Sequence, residues 1–322
     1  MKQNSVKKKL KLKAIVPKTS IVKERLDHVL VHLFNSYSRS ILKKLILDGK
    51  VIVDNKIVYK PSQRLFGGEK IFVFPEKIKN IQPHSENIKI NIIYQDEDIL
   101  VIDKSSNLVV HPYPGNNKGT LLNALMFYDK NINLVPRCGI VHRLDKNTTG
   151  LMVIARNFFS YNILKKLIKN KKIKREYRAI VNGNVLTGGL INEPIRRHLK
   201  NRMKMIIHSR GKKSITHYRI IKRFKSHTYL RIFLETGRTH QIRVHMLHIN
   251  HSIVGDPIYK NNKNNFFWKL TDKLKEKLLK FPRQALHANK LSFVHPTKKI
   301  NMSWKSRIPL DMREILVSLQ EC

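Results

Sequence analysis

The stretch Gly139–Arg156, GIVHRLDKNTTGLMVIAR, holds residues whose types and order could do chemistry. A short apolar entry leads to His142, Arg143 and Asp145. Thr148-Thr149-Gly150 reads as a turn, and Leu151–Ala155 reads as a strand. Asp145 is therefore expected on a loop held from its C-terminal side by rigid structure. An acid flanked by His and Arg is expected to stay ionised. An ionised, fixed carboxylate can act as nucleophile or base. The same residues also fit a structural ion pair with a turn-capping threonine, and the stretch alone does not separate the two readings.

Other candidates are equally ambiguous on their own. Tyr177 falls on the expected strand Tyr177–Val181, where an aromatic is ordinarily core. Arg243 fits a phosphate contact or a surface ion pair. His240, His245, His248 and His251 raise the question of zinc. No Cys or acid stands among them, so no metal site is expected.

The elements that must position these residues follow from periodicity. Leu26, Val29, Leu30 and Leu33 repeat at helical spacing, and Ile41, Leu42, Leu45 and Ile46 form a second helix ended by Gly49. Short alternating strands follow to Phe74. These features predict a disordered basic arm over residues 1–20, a compact basic module over 21–75, a linker over 76–88 and a larger domain over 89–322. In the large domain, strands are expected at Ile92–Tyr94, Ile99–Asp103, Leu151–Ala155, Tyr177–Val181, His217–Arg223 and Thr228–Leu234. Helices are expected at Leu121–Tyr128, Phe159–Lys169, Gln241–Ile249 and Leu310–Leu319. Strands and helices do not alternate regularly. The fold class is therefore α+β, with a mixed, mainly antiparallel sheet flanked by helices.

Composition narrows the partner. The chain has 64 Lys plus Arg against 22 Asp plus Glu, a formal net charge of +42. An AT-rich genome can favour Lys over Arg, but it does not explain so few acids. A polyanion is implied, and nucleic acid is the first choice. Two cysteines, Cys138 and Cys322, are too few for a disulfide framework, which fits a reduced cytoplasmic compartment. The basic start lacks the apolar run of a signal peptide, and no apolar stretch approaches the ~18 residues of a membrane span. No membrane partner is expected.

Taken in order, these segments resemble the RluA/RluD family of pseudouridine synthases. The signature His-Arg-Leu-Asp, two variable residues, Thr, Ser or Thr, Gly, Leu is matched throughout by His142–Leu151. Lys174-Arg175-Glu176-Tyr177 resembles the second motif, and Glu235–His245 the third. Leu286-His287-Ala288 and His295-Pro296 match late features. Residues 25–74 resemble the S4 RNA-binding domain. One departure is Val53-Asp54-Asn55-Lys56, where an Asn-Gly turn is usual, and it is expected to alter that hairpin. The resemblance covers about Ile21 to the C-terminus. A methyltransferase would need a Gly-rich cofactor loop after a strand, and none occurs.

The resemblance implies a cofactor-free isomerase with Asp145 as nucleophile. Tyr177 would stack on uracil, and Arg243 would pair with Asp145. Arg143 would fill the space of the flipped base, and His142 would contact the RNA backbone. Leu151 would help wall the site, with Arg238, His240 and Gln241 on the substrate side. In the S4 module, Arg25, Ser38, Arg39, Lys43, Lys44 and Lys50 would hold RNA. The implied substrate is 23S ribosomal RNA of the large-subunit precursor, at the stem-loop called helix 69, acted on by a monomer. Whether the acid attacks C1′, attacks C6 or first removes a ribose proton stays open.

Overall fold

Apolar spacing in the N-terminal segment is realised as two helices folded against a small sheet. The computed structural model describes residues 11–17, 24–34, 37, 39–75, 84–113, 116–260 and 270–321. The chain divides into two units, Met1–Gln82 and Pro83–Cys322. In the first, β1 (Leu12–Ile15) and β2 (Glu24–Arg25) precede α1 (Leu26–Leu33) and α2 (Arg39–Leu47). Then come β3 (Val51–Val53), β4 (Lys56–Ile57), β5 (Arg64–Leu65) and β6 (Lys70–Val73). Leu26, Leu30, Leu42 and Ile46 are buried with Val51, Ile71 and Val73, so the helical and two-residue periodicities meet in one core.

Two expectations need correction here. The arm expected to be disordered contributes β1, which pairs antiparallel with β6 in a sheet of order β1-β6-β3-β4. Leu12 and Ala14 pack on the core while Lys11 and Lys13 face out, an alternation masked in the sequence by the lysines. The hairpin at Asp54-Asn55 keeps a two-residue turn despite lacking glycine. Both residues take positive φ, 45° and 67°, as a primed turn demands, and Asp and Asn tolerate that region. Residues 1–10, 18–23 and 76–83 of the expected arm, module and linker lie outside the described residues, as do Ser38 and 261–265 of a Lys-rich loop.

The second unit is built on a long sheet. Its elements begin with β7 (Asn91–Gln95), β8 (Ile99–Lys104), α3 (Leu121–Tyr128), β9 (Thr149–Ala155), α4 (Phe158–Lys169) and β10 (Lys174–Asn182). Next are β11 (Gly189–Asn192), β12 (Ile195–Arg197), β13 (Met205–Ile207), β14 (Ile215–Arg223) and β15 (His227–Leu234). It ends with α5 (Gln241–His248), α6 (Asp272–Leu279), β16 (Leu286–Val294), β17 (Asn301–Lys305) and α7 (Leu310–Gln320). The sheet order among the described residues is β11-β14-β15-β10-β16-β9-β8-β7, with β17 also on β16. All pairs are antiparallel except β16 with β9. Thr120 caps α3 through a capping box with Asn123, and the Asn157 side chain caps α4.

Two features of this sheet prepare the site. A β-bulge sets consecutive Glu176 and Tyr177 opposite Lys290 and Ala288, leaving Asn289 as the extra residue. A cross-strand row then runs Ile232, Tyr177, Ala288, Gly150, Lys104. Gly150 has φ of 115°, and a Cβ there would lie 2.3 Å from the Ala288 carbonyl oxygen. Only glycine lets the turn after Asp145 join the sheet at this point.

Candidate active site

The turn carrying Asp145 is clamped residue by residue. The Thr148 N–H donates to the Asp145 carbonyl at 3.1 Å and closes the turn. Lys104 Nζ donates to the carbonyl of Lys146 at 2.9 Å, and also to those of Ser105 and Leu108. Gln284 Nε2 donates to Thr148 Oγ1 at 3.0 Å, and Thr149 Oγ1 lies 2.9 Å from His287 Nδ1. Upstream, His142 Nε2 accepts the Val153 N–H at 3.0 Å. These contacts fix the backbone and leave the Asp145 side chain to project from it.

Asp145 faces a cleft of about 520 Å3 whose lining includes Tyr177, Arg143, Arg238, His240 and Arg243. Arg243 Nη1 donates to Asp145 Oδ2 at 3.0 Å. The other edge of the same guanidinium pairs bidentately with Asp256, Nε to Oδ2 at 2.7 Å and Nη2 to Oδ1 at 2.8 Å. Burial alone would lower the Arg243 pKa, but the two carboxylates hold it above its ordinary value. The Asp256 side chain is fully buried, and its Oδ1 also accepts the N–H groups of Ile258 and Tyr259. A fork gripped on one edge by a buried acid can aim only its remaining nitrogen at Asp145.

His240 stands on the other side of Asp145, Nε2 to Oδ1 at 3.8 Å. It begins α5 in the left-handed region with φ of 55°. Tyr259 fixes its ring. The Met205 N–H donates to Tyr259 Oη at 2.8 Å, and Oη lies 2.8 Å from His240 Nδ1. A tyrosine proton donated to Nδ1 would leave the imidazole proton on Nε2, facing Asp145. Burial pushes the Tyr259 hydroxyl up to about 12, so it remains a donor.

Tyr177 enters from β10, buried, with its pKa raised by burial. Burial, with Arg175 nearby, pushes His142 down to about 3, so its ring is neutral. Lys104 is buried beneath the turn and pushed down to about 7 by burial, against the pull of Asp145.

Asp145, Tyr177, Arg243, His142, Arg143, Arg238, His240 and Gln241 share one cleft. Three expected roles are corrected. Leu151 packs into the core with Val101, Val153 and Leu164 and does not line the cleft, because alternation turns it to the other face of β9. The Gln241 amide is consumed internally: Oε1 accepts from Thr236 and Arg238, and Nε2 donates to Ile215 and Thr216. His142 spends Nε2 on Val153 and anchors the loop, so no charged imidazole is available to an RNA phosphate. Lys104, Asp256 and Tyr259 were not singled out in the sequence. A lone lysine ending an apolar strand was the only signal for the first.

In the first unit, Arg25 and Arg39 converge on buried Asp27, at 2.9 and 2.8 Å. Lys43 and Lys44 are exposed on α2, and Lys50 is half-buried. Among the described residues, no helix is long and apolar enough to cross a membrane.

Comparison with known proteins gives the same division. Residues 98–248 match the RNA pseudouridylate synthase family and residues 24–71 the S4 domain. The chain is similar to ribosomal large subunit pseudouridine synthase D of Buchnera aphidicola subsp. Acyrthosiphon pisum, 52% identical over 97% of this chain and 100% of that protein. The protein of the same name from Escherichia coli strain K12 is 45% identical, over 91% and 90% of the two chains. The structure of human RNA Pseudouridylate Synthase Domain Containing 4 superposes with a TM-score of 0.55 at 23% identity, covering 71% of this chain and 93% of that one.

Proposed function

Because the chain belongs to the RNA pseudouridylate synthase family and carries an S4 domain, we propose that it isomerises uridines of large-subunit ribosomal RNA, with Asp145 as the nucleophile. The relatives named as large-subunit enzymes support the substrate class. One observation carries the residue assignment: Asp145, 17% exposed and held by Arg243 at 3.0 Å, lines the same cleft as Tyr177.

The reaction breaks the bond between ribose C1′ and uracil N1, turns the base, and joins C5 to C1′. The proton on C5 is released and N1 gains one, so atoms balance without a cofactor. Asp145 holds the sugar or base while the glycosidic bond is open. Tyr177 stacks on the uracil and keeps the detached ring in place. The cleft must exclude water, which would otherwise trap the sugar. Base flipping costs a few kcal/mol, and Arg143, exposed at the cleft, takes the vacated place in the stack.

The target we assign is the helix 69 stem-loop of 23S RNA, modified by a monomer in the cytoplasm. Chemical labelling and primer extension on 23S RNA, with wild-type protein and Asp145→Asn, test both parts. The expected result is pseudouridine in helix 69 with wild type, none with Asp145→Asn, and near-equal RNA affinity. Normal modification by Asp145→Asn would sink the nucleophile. Modification confined to another RNA segment would sink only the target.

A further inference from the structure

Of the arginines that line the cleft, Arg175 has a buried donor with no acceptor among the described residues. Arg175 lies two residues before Tyr177 on β10, so both side chains leave the same face of the sheet. It lines the catalytic cleft and an adjoining cleft of about 270 Å3, which share Lys171, Leu234 and Glu235. Its Nε is buried with no hydrogen-bond acceptor among the described residues. The nearby carboxylates are engaged elsewhere. Glu235 is held by Lys171 and His217, Glu176 by Arg178, and Asp145 by Arg243. A buried guanidinium donor without an acceptor is costly and uncommon.

The backbone makes room for this arginine. Gly237, in the loop before α5, comes so close that a Cβ there would lie 2.8 Å from Arg175 Nη1. Its absence leaves the guanidinium a place beside the cleft. Burial lowers the pKa of His142 with help from the Arg175 charge, and burial raises that of Tyr177 against it, which puts the Arg175 charge beside both the loop anchor and the stacking residue.

We propose that Arg175 binds a phosphodiester of the RNA strand beside the flipped uridine, through its terminal guanidinium nitrogens. This rests on the reading that the cleft takes an RNA uridine, and not on the role of Asp145. A planar fork with unspent donors matches two phosphate oxygens. A neutral base edge would leave the charge unneutralised. Arg175 thereby reports on strand position, while Tyr177 reports on the base.

The test uses a helix 69 stem-loop oligonucleotide in which loop phosphates are replaced one at a time by uncharged methylphosphonates. Affinity is read by fluorescence anisotropy, which needs no turnover. A chain that binds but does not isomerise would therefore count against the proposed activity and leave this inference standing. Arg175→Gln is expected to weaken binding on the order of 10- to 100-fold and to flatten the salt dependence by about one charge. One methylphosphonate should weaken wild type by a similar factor and leave Arg175→Gln unaffected. Gly237→Ala keeps the arginine but displaces its head, and should lose part of the same affinity. The proposal is overturned if Arg175→Gln binds like wild type. It is also overturned if both proteins pay the same penalty at every phosphate, which would assign the arginine to the base.

Discussion

The two units each contain an arginine–carboxylate cluster, built with opposite stoichiometry. In the N-terminal unit one buried acid, Asp27, holds two arginines whose side chains remain 46% and 55% exposed. In the large unit one arginine, Arg243, only 4% exposed, holds two acids, and one of them opens to the cleft. In both, the buried member holds the more exposed one in place. The first cluster presents cations to solvent, the charge that our proposal needs for phosphates. The second presents an anion to the cleft, the charge that our proposal needs for a nucleophile. Net charge alone hides this, because a charge of +42 leads one to expect cations everywhere.

The comparison predicts unequal consequences when each buried member is neutralised. Arg243→Gln leaves two carboxylates facing each other without their shared cation. We expect a loss of about 3–5 kcal/mol of stability. Activity should fall on the order of 10^3-fold or more, as for removal of a group acting as a unit with a nucleophile. Thermal melting and single-turnover pseudouridine formation read the two effects. Full activity in Arg243→Gln would show that Asp145 needs no aiming.

Asp27→Asn should cost less. Its arginines are largely solvated, so roughly 1–2 kcal/mol is expected. The reaction step should be unchanged, and RNA affinity should fall about 3- to 10-fold because Arg25 and Arg39 lose their fixed geometry. A kcat loss in Asp27→Asn would break the division of labour between the units.

Acid should act on the two units in sequence. Burial pushes His111, His227 and His287 down to about 4 and His142 to about 3, from an ordinary 6.5. Below pH 6.5 the unfolded chain takes up protons that the folded large unit refuses, so its stability falls as pH drops from about 6.5 toward 4. In the N-terminal unit burial would raise Asp27, but hydrogen bonds from Arg25 and Arg39 lower it from 3.8 to about 2. That contribution is present above about pH 4 and is lost as pH falls toward 2. Hydrogen exchange of the full chain at pH 7 and 5, corrected for intrinsic rates, should show β9 and β16 loosening before α1. The reverse order would contradict it.

Much of this architecture was legible in the sequence, for stated reasons. α3, α4, α5 and α7 begin and end within a residue or so of their expected bounds. Strands β8, β9, β14 and β15 were readable from their apolar or alternating runs. β16 was not read as a strand, because Leu286–Asn289 is buried on both faces and shows no alternation. α6 was missed because its eight residues, DKLKEKLL, bury only Leu274 and Leu278. The Asp145 turn could be placed by its motif. Its support could not, since Asp256 is 13 residues beyond Arg243, and a buried acid leaves no periodic trace. Lys104 is similarly silent, spending its charge on three carbonyls.

The smallest predicted effect sharpens the comparison most finely, because it asks whether the second cluster is aimed on both sides. Tyr259→Phe keeps the ring against Arg243, whose Cζ lies 4.9 Å from the ring centroid, and removes only the hydroxyl. Two bonds go with it, one from the Met205 N–H and one to His240. Nothing then fixes which imidazole nitrogen carries the proton, and a bare Nε2 would turn a lone pair toward the Asp145 carboxylate. The cost of such a lost hydrogen bond is about 1 kcal/mol, which predicts a fall of roughly 3- to 10-fold in kcat with KM unchanged. Nitrogen-15 spectra of labelled histidine should show His240 as the Nε2–H form in wild type and as a mixture in Tyr259→Phe. If the tautomer mixes while kcat holds, then Arg243 alone aims Asp145, and the second cluster is one-sided.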